Sequence, residues 1–180
     1  NGHYSTAVGW KANANGIHST ALGEQASASN YGSTALGVIA TARGGNSTAL
    51  GSYALAESAS GASTAIGHQA KALGASSTSV GDSSRANSQG SIAIGHLANA
   101  ESERTIAIGS GSTANASCAM AIGWNANATA SNATALGYTS NALGTNSTAL
   151  GTSANASGSD AIAIGQSSIA SNTSTLAIGT

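Results

Sequence analysis

The sequence has no proline, no phenylalanine, one cysteine and one methionine in 180 residues. Aromatic residues make up 3% and charged residues 6%, against roughly a quarter charged in an ordinary globular domain. With so few bulky side chains, a large compact core cannot be built. The lone Cys118 excludes an internal disulfide framework and a cysteine-based zinc cluster. Five Lys and Arg against six Asp and Glu leave no basic stripe, which argues against nucleic acid or an anionic membrane as partner. No run approaches the ~18 apolar residues of a spanning helix. Disorder fits poorly too. Disordered chains pair low hydrophobicity with high net charge, whereas this chain is 41% hydrophobic with a net charge of −1.

What the chain does contain is Ala (40), Ser (31) and Gly (24), more than half of all residues, and a repeat orders them. The string Ser-Thr-Ala-Leu-Gly, or a close relative, recurs throughout, ending at Gly9, Gly23, Gly37, Gly51, Gly67, Gly81, Gly95, Gly109, Gly123, Gly137, Gly151, Gly165 and Gly179. Eleven of the twelve intervals are 14 residues, and the one from Gly51 to Gly67 is 16. The residue before each glycine is Leu, Ile or Val. Two before it stands Ala in twelve of thirteen cases, Ser79 being the exception, and three before it stands Thr in eight. Such alternation marks a strand with two unlike faces. Past the glycine, the third residue is Ala or Ser and the fifth is always Ala, while the second, fourth and sixth vary. This is a second strand with a small inner face.

Two short strands and two turns therefore fill the unit. The repeat glycine makes one turn. Gly16, Asn30, Gly44, Gly74, Gly144, Gly158 and Asn172 mark the other, being residue types that tolerate positive φ. The two extra residues fall in this second turn, within 57–62, as a surface loop. A unit this small cannot close a core alone, so the sequence predicts an all-β solenoid over residues 1–180. About twelve 14-residue coils would stack at the ~4.8 Å strand spacing.

The two strands are expected to face each other with Leu, Ile and Thr of the first opposite the alanines of the second. The alanine two before each glycine (Ala21, Ala35, Ala49, Ala93, Ala107, Ala121, Ala135, Ala149) is then outside, a uniform small strip suited to close approach by another copy. The opposite arrangement, with these alanines inside and Leu or Ile facing the partner, is the alternative. Either leaves an apolar face uncovered in a monomer, and such a face predicts association into a homo-oligomer.

The blocks Asn46-Ser47-Thr48-Ala49-Leu50-Gly51, Asn146-Ser147-Thr148-Ala149-Leu150-Gly151 and Ser91-Ile92-Ala93-Ile94-Gly95, with the alternating alanines that follow, resemble the head repeats of trimeric autotransporter adhesins, the YadA-like head. The resemblance covers essentially the whole chain. It implies a left-handed parallel β-roll, a homotrimer, and display on the outer membrane of a Gram-negative cell. It also implies attachment to host matrix proteins such as collagen, fibronectin or laminin, and bacterial self-association. No heptads, neck motif or C-terminal anchor follow, so the sequence is expected to be a head segment, joined to a membrane only through an anchor outside it.

Stacking puts residues 14 apart into columns, which nominates sites that no linear motif shows. The position after the glycine brings His68, Asp82 and His96 into succession, a candidate metal, anion or pH-sensitive patch whose plain reading is a solvated ladder. Lys71 and Arg85 share an outer column, a candidate polar ligand patch. Trp10, Trp124, Tyr31, Tyr53 and Tyr138 are candidate aromatic anchors, whose plain reading is edge packing between coils or chains. No catalytic constellation, cofactor motif or resident metal site is found: the acids are scattered and no serine pairs with a His and an acid. The sequence reads as a non-enzymatic adhesin head. An ice-binding solenoid, suggested by the threonine column, and a structural spacer are the alternatives.

Overall fold

A computed structural model describes residues 2–58 and 61–179. The chain forms two compact units, residues 1–90 and 91–180. In the first unit, three-residue strands (Thr6–Val8, Thr20–Leu22, Thr34–Leu36, Thr48–Leu50, Thr64–Ile66, Thr78–Val80) make one parallel sheet. Two-residue strands (Asn13–Ala14, Ser27–Ala28, Thr41–Ala42, Leu55–Ala56, Lys71–Ala72, Arg85–Ala86) make the other. The second unit repeats the plan. Its longer strands are Ile92–Ile94, Ile106–Ile108, Met120–Ile122, Thr134–Leu136, Thr148–Leu150, Ile162–Ile164 and Leu176–Ile178. Its shorter ones are Asn99–Ala100, Thr113–Ala114, Asn127–Ala128, Asn141–Ala142, Asn155–Ala156 and Ile169–Ala170. Within each unit every coil thus pairs with the next in parallel, as a β-solenoid does.

Registers step by 14 residues, as Thr20 pairs with Thr34 and Ala28 with Ala42. Between Ala56 and Ala72, and between Thr48 and Thr64, the step is 16. The extra two residues therefore lie between Ala56 and Thr64; residues 59 and 60, inside the 57–62 expected for the insertion, are outside the described residues.

The inside of the coil is smaller than the sequence suggested. Ala21, Ala35, Ala49, Ala93, Ala107, Ala121, Ala135 and Ala149 are all 0% exposed. They are core, and their expected place on an outer, partner-facing surface is corrected. The opposite wall is as expected: Ala28, Ala42, Ala100 and Ala128 point inward and are fully buried. Among the described residues the largest fully buried side chain is Thr105. A flattened 14-residue coil brings its two backbones so close that only methyl-sized groups fit between them. The aliphatic residue before each glycine is therefore turned outward, with Leu22 and Leu136 each 42% exposed.

Where both walls carry serine, the closeness shows directly: Ser79 and Ser84 hydroxyls hydrogen-bond across the interior at 2.7 Å. The serine that opens the Ser-Thr-Ala-Leu-Gly block also points inward. Its hydroxyl donates to the carbonyl three residues back, as from Ser19 to Gly16, Ser33 to Asn30 and Ser77 to Gly74, each at 2.7 Å. These bonds satisfy a buried polar atom and lock the corner at once.

The turns explain the rest of the repeat. The repeat glycines have φ between +119° and +142°, with +132° at Gly9, Gly37 and Gly51. A second left-handed residue follows two positions later, for example Gln25 at φ 54° and Tyr53 at 58°. Its N–H donates to the coil before it, as Gln25 N to Trp10 O at 2.8 Å and Tyr53 N to Val38 O at 2.9 Å. In the other turn the left-handed residues are His18, Asn46, Cys118, Asn132 and their equivalents, two positions later than expected. Gly16, Gly44, Gly74, Gly144 and Gly158 do not have positive φ. At Gly16, Gly74, Gly144 and Gly158 glycine is favoured because a methyl group would run into the carbonyl of the next coil.

Ile39 departs from the local rule, being β-branched at φ 57°. Left-handed backbone costs such a residue about 1–2 kcal/mol, and Asn tolerates it better. Ile39→Asn keeps the N–H bond to Glu24 O. It is expected to raise stability by about 1 kcal/mol in urea melts, and a loss of stability would contradict the strain.

Candidate functional site

With the core made of alanine, serine and Thr105, the larger side chains among the described residues are carried on the outside, in columns one coil apart. The outer face of the longer strands holds the aliphatic column and, beside it, Thr in the first unit and Ile92, Ile106 and Met120 at the start of the second. The shorter strands and the turns carry the polar and aromatic columns.

In the first unit His68 and Asp82 meet as the 14-residue spacing predicts. Nδ1 of His68 and Oδ1 of Asp82 are 2.8 Å apart, with both side chains about half exposed. The Tyr53 ring stands edge-on to His68 with centroids 6.3 Å apart. His96 belongs to the second unit. Among the described residues no group of three His, Cys, Asp or Glu side chains could hold a metal ion, so a His-Asp-His metal site is not formed there. An exposed pair of this kind contributes less than about 1 kcal/mol. The same holds for Arg43 and Glu57, joined at 3.1 Å across one coil step.

Lys71 and Arg85 are register partners in the shorter-strand sheet. Two cations one strand spacing apart on a solvated face repel rather than build a pocket. Trp124 and Tyr138 meet as the 14-residue spacing predicts. Their rings stack at 4.8 Å between centroids and 10° between planes.

Two further clusters bring in Tyr4, His18, Asn132, Asn146 and Asp160, which the sequence did not nominate as a site. Tyr4 stacks on His18 at 5.1 Å, and His18 meets the edge of Tyr31 at 5.7 Å. The spacing of Tyr4 and His18 is the repeat spacing, so the column was readable; Tyr31 lies one position off it. In the second unit the amide of Asn132 donates to Asn146 Oδ1 at 3.0 Å, and Asn146 in turn donates to Asp160 Oδ1 at 2.9 Å. Side-chain ladders of this kind reinforce the stacking of turns. Lys11 Nζ lies 4.3 Å from the centre of the Trp10 ring, a cation–π contact.

Within each unit the coils present repeated columns of outward side chains. No curated relative matches the sequence significantly. Among solved structures, the crystal structure of the collagen-binding domain of the Yersinia adhesin YadA is similar, with 20% identity and a TM-score of 0.41. The match spans 100% of this chain and 83% of that one. The family model for the YadA head domain repeat matches at residues 1–26, 28–54, 60–84, 86–112, 114–140, 128–154, 142–168 and 156–180. Nearly every coil is thereby accounted for, and the chain belongs to the family of YadA head domain repeats.

Proposed function

We propose that the chain is the head of a non-catalytic surface adhesin, acting as a homotrimer on a Gram-negative cell. In this reading it attaches the cell to host matrix proteins such as collagen, fibronectin or laminin and supports self-association of bacteria. Family membership supports the adhesive role. The observation that carries the assembly is the outward aliphatic column: Leu36, Leu50, Ile94 and Leu150 are each 36% to 40% exposed at the same place in the coil. In each unit an apolar strip repeated from coil to coil is a surface that a second copy covers. Adhesion would then rest on many weak contacts summed over three chains and many heads. Outward Thr and Leu columns alternate hydroxyl and isobutyl groups, which favours protein contact over an ice-matching face.

Light scattering should give about three times the 17.0 kDa chain mass, and the same sample should bind immobilised collagen, fibronectin or laminin. A 17.0 kDa species would remove the trimer. A trimer that binds none of the three proteins would remove the matrix-attachment reading and leave the assembly standing.

A further inference from the structure

The stacked pair Trp124 and Tyr138 sits on a turn edge with roughly half of each side chain exposed. Tyr138 covers one face of the indole at 4.8 Å, which is one coil step. The column does not continue on the other side, because the residue one coil earlier is Ser110. The indole's second face therefore looks onto a slot one coil high. The rim of that slot is polar and neutral. Ser110 supplies a hydroxyl, and the Asn125 amide oxygen lies where a side chain at Gly111 would start. Gly111 has φ +69°, and the Asn125 amide oxygen takes up the space that a side chain there would need. No Asp, Glu, Lys, Arg or His occurs between Arg104 and Asp160.

An exposed aromatic face with adjacent hydroxyl and amide groups and no charge matches one chemistry closely. The negative face of indole attracts the polarised C–H groups on the apolar side of a sugar ring. Hydroxyl and amide groups at the rim then bond the sugar's own hydroxyls. A ring stacked on the indole would extend the Trp–Tyr stack by one step. Trp10 lacks these features: Lys11 lies over its ring and Glu24 follows in its column.

We propose that the free face of Trp124, with Ser110 and Asn125, is a stacking site for a pyranose ring of a neutral glycan. This goes beyond the matrix-protein reading and does not depend on it. The chain has two tryptophans, so the Trp10→Phe protein reports Trp124 fluorescence alone. That protein is titrated with cellotriose, maltotriose and triacetylchitotriose up to about 10 mM, enough to saturate a millimolar site. At least one sugar should shift the emission saturably. Adding Ser110→Phe fills the slot with a protein ring and should weaken that response at least about tenfold, the effect of losing one good contact. No response to any of the three sugars overturns the proposal, as does a response unchanged by Ser110→Phe in a protein with native circular dichroism. A response to a proline decapeptide and to none of the sugars also overturns it, assigning the slot to an extended peptide.

Discussion

Gly37→Ala is expected to unfold the coils on either side of it. The backbone at Gly37 has φ +132°, a region in which an L side chain is strained by about 1–3 kcal/mol even in free space. Space is absent as well. A methyl group there would stand 2.6 Å from the carbonyl oxygen of Gly51 and 2.7 Å from its carbon. These are backbone atoms of the next turn, which itself bonds back through Gly51 N to Leu36 O at 2.8 Å. Nothing flexible can yield, so relief requires breaking the turn-to-turn bonds. Strain and clash together should cost about 4 kcal/mol or more, a large share of a typical total stability of 5–15 kcal/mol. Gly45→Ala is the matched control. Its φ is ordinary, and the nearest atom to an added methyl group is Tyr31 O at 4.0 Å. There alanine should be neutral, or stabilising by about 0.4–1 kcal/mol through the unfolded chain. Urea melts of the two variants test the account. Equal stabilities would mean that the repeat glycine is not kept for its backbone.

Much of this fold is legible without a structure because stacking makes each column an independent repeat of one environment. Period-2 alternation gives the strands, and the 14-residue interval gives the register, including the step of 16 at Ala56 to Ala72. Which way the first strand faces was not legible from alternation alone, since both of its faces are apolar. The usual assumption that larger aliphatics lie inside fails here because the coil interior is only a few methyl groups wide. Two signals pointed the other way. The most uniform columns are Ala on both strands, as two walls in contact require. And the exception to alanine two before the glycine, Ser79, is another small residue, and it meets Ser84 of the opposite wall. The candidate sites were legible as columns and no further. Spacing puts Trp124 beside Tyr138 and His68 beside Asp82; whether rings stack or nitrogens meet carboxylates depends on turn geometry. In that geometry the left-handed residue at Asn46 or Asn132 lies two places beyond where the glycines suggested.

The inward facing of alanine leads to the second large effect. Ala107 is 0% exposed and lies between Ala93 and Ala121 in register. Ala107→Leu adds three carbons where even threonine is the largest fully buried side chain. Overpacking usually costs 1–3 kcal/mol because neighbouring side chains move aside. Around Ala107 the neighbours are methyl groups and backbone, so movement means separating the two sheets over several coils. The expected loss is about 3–5 kcal/mol, and in a stack where each coil rests on the next the damage spreads to adjoining coils. Ile108, one residue along, faces outward and pairs with Ile94 and Ile122. Ile108→Asp should leave the circular dichroism of the single chain nearly native, because the carboxylate stays in water. If the aliphatic face joins three chains, the same carboxylate is carried into an apolar contact without a partner, at a cost of several kcal/mol, and the mass by light scattering should fall toward 17.0 kDa. Adjacent substitutions thus separate the two surfaces: Ala107→Leu removes the fold, and Ile108→Asp removes the assembly while keeping it. A native melt for Ala107→Leu would show spare room inside the coil and return the outer face to the alanines.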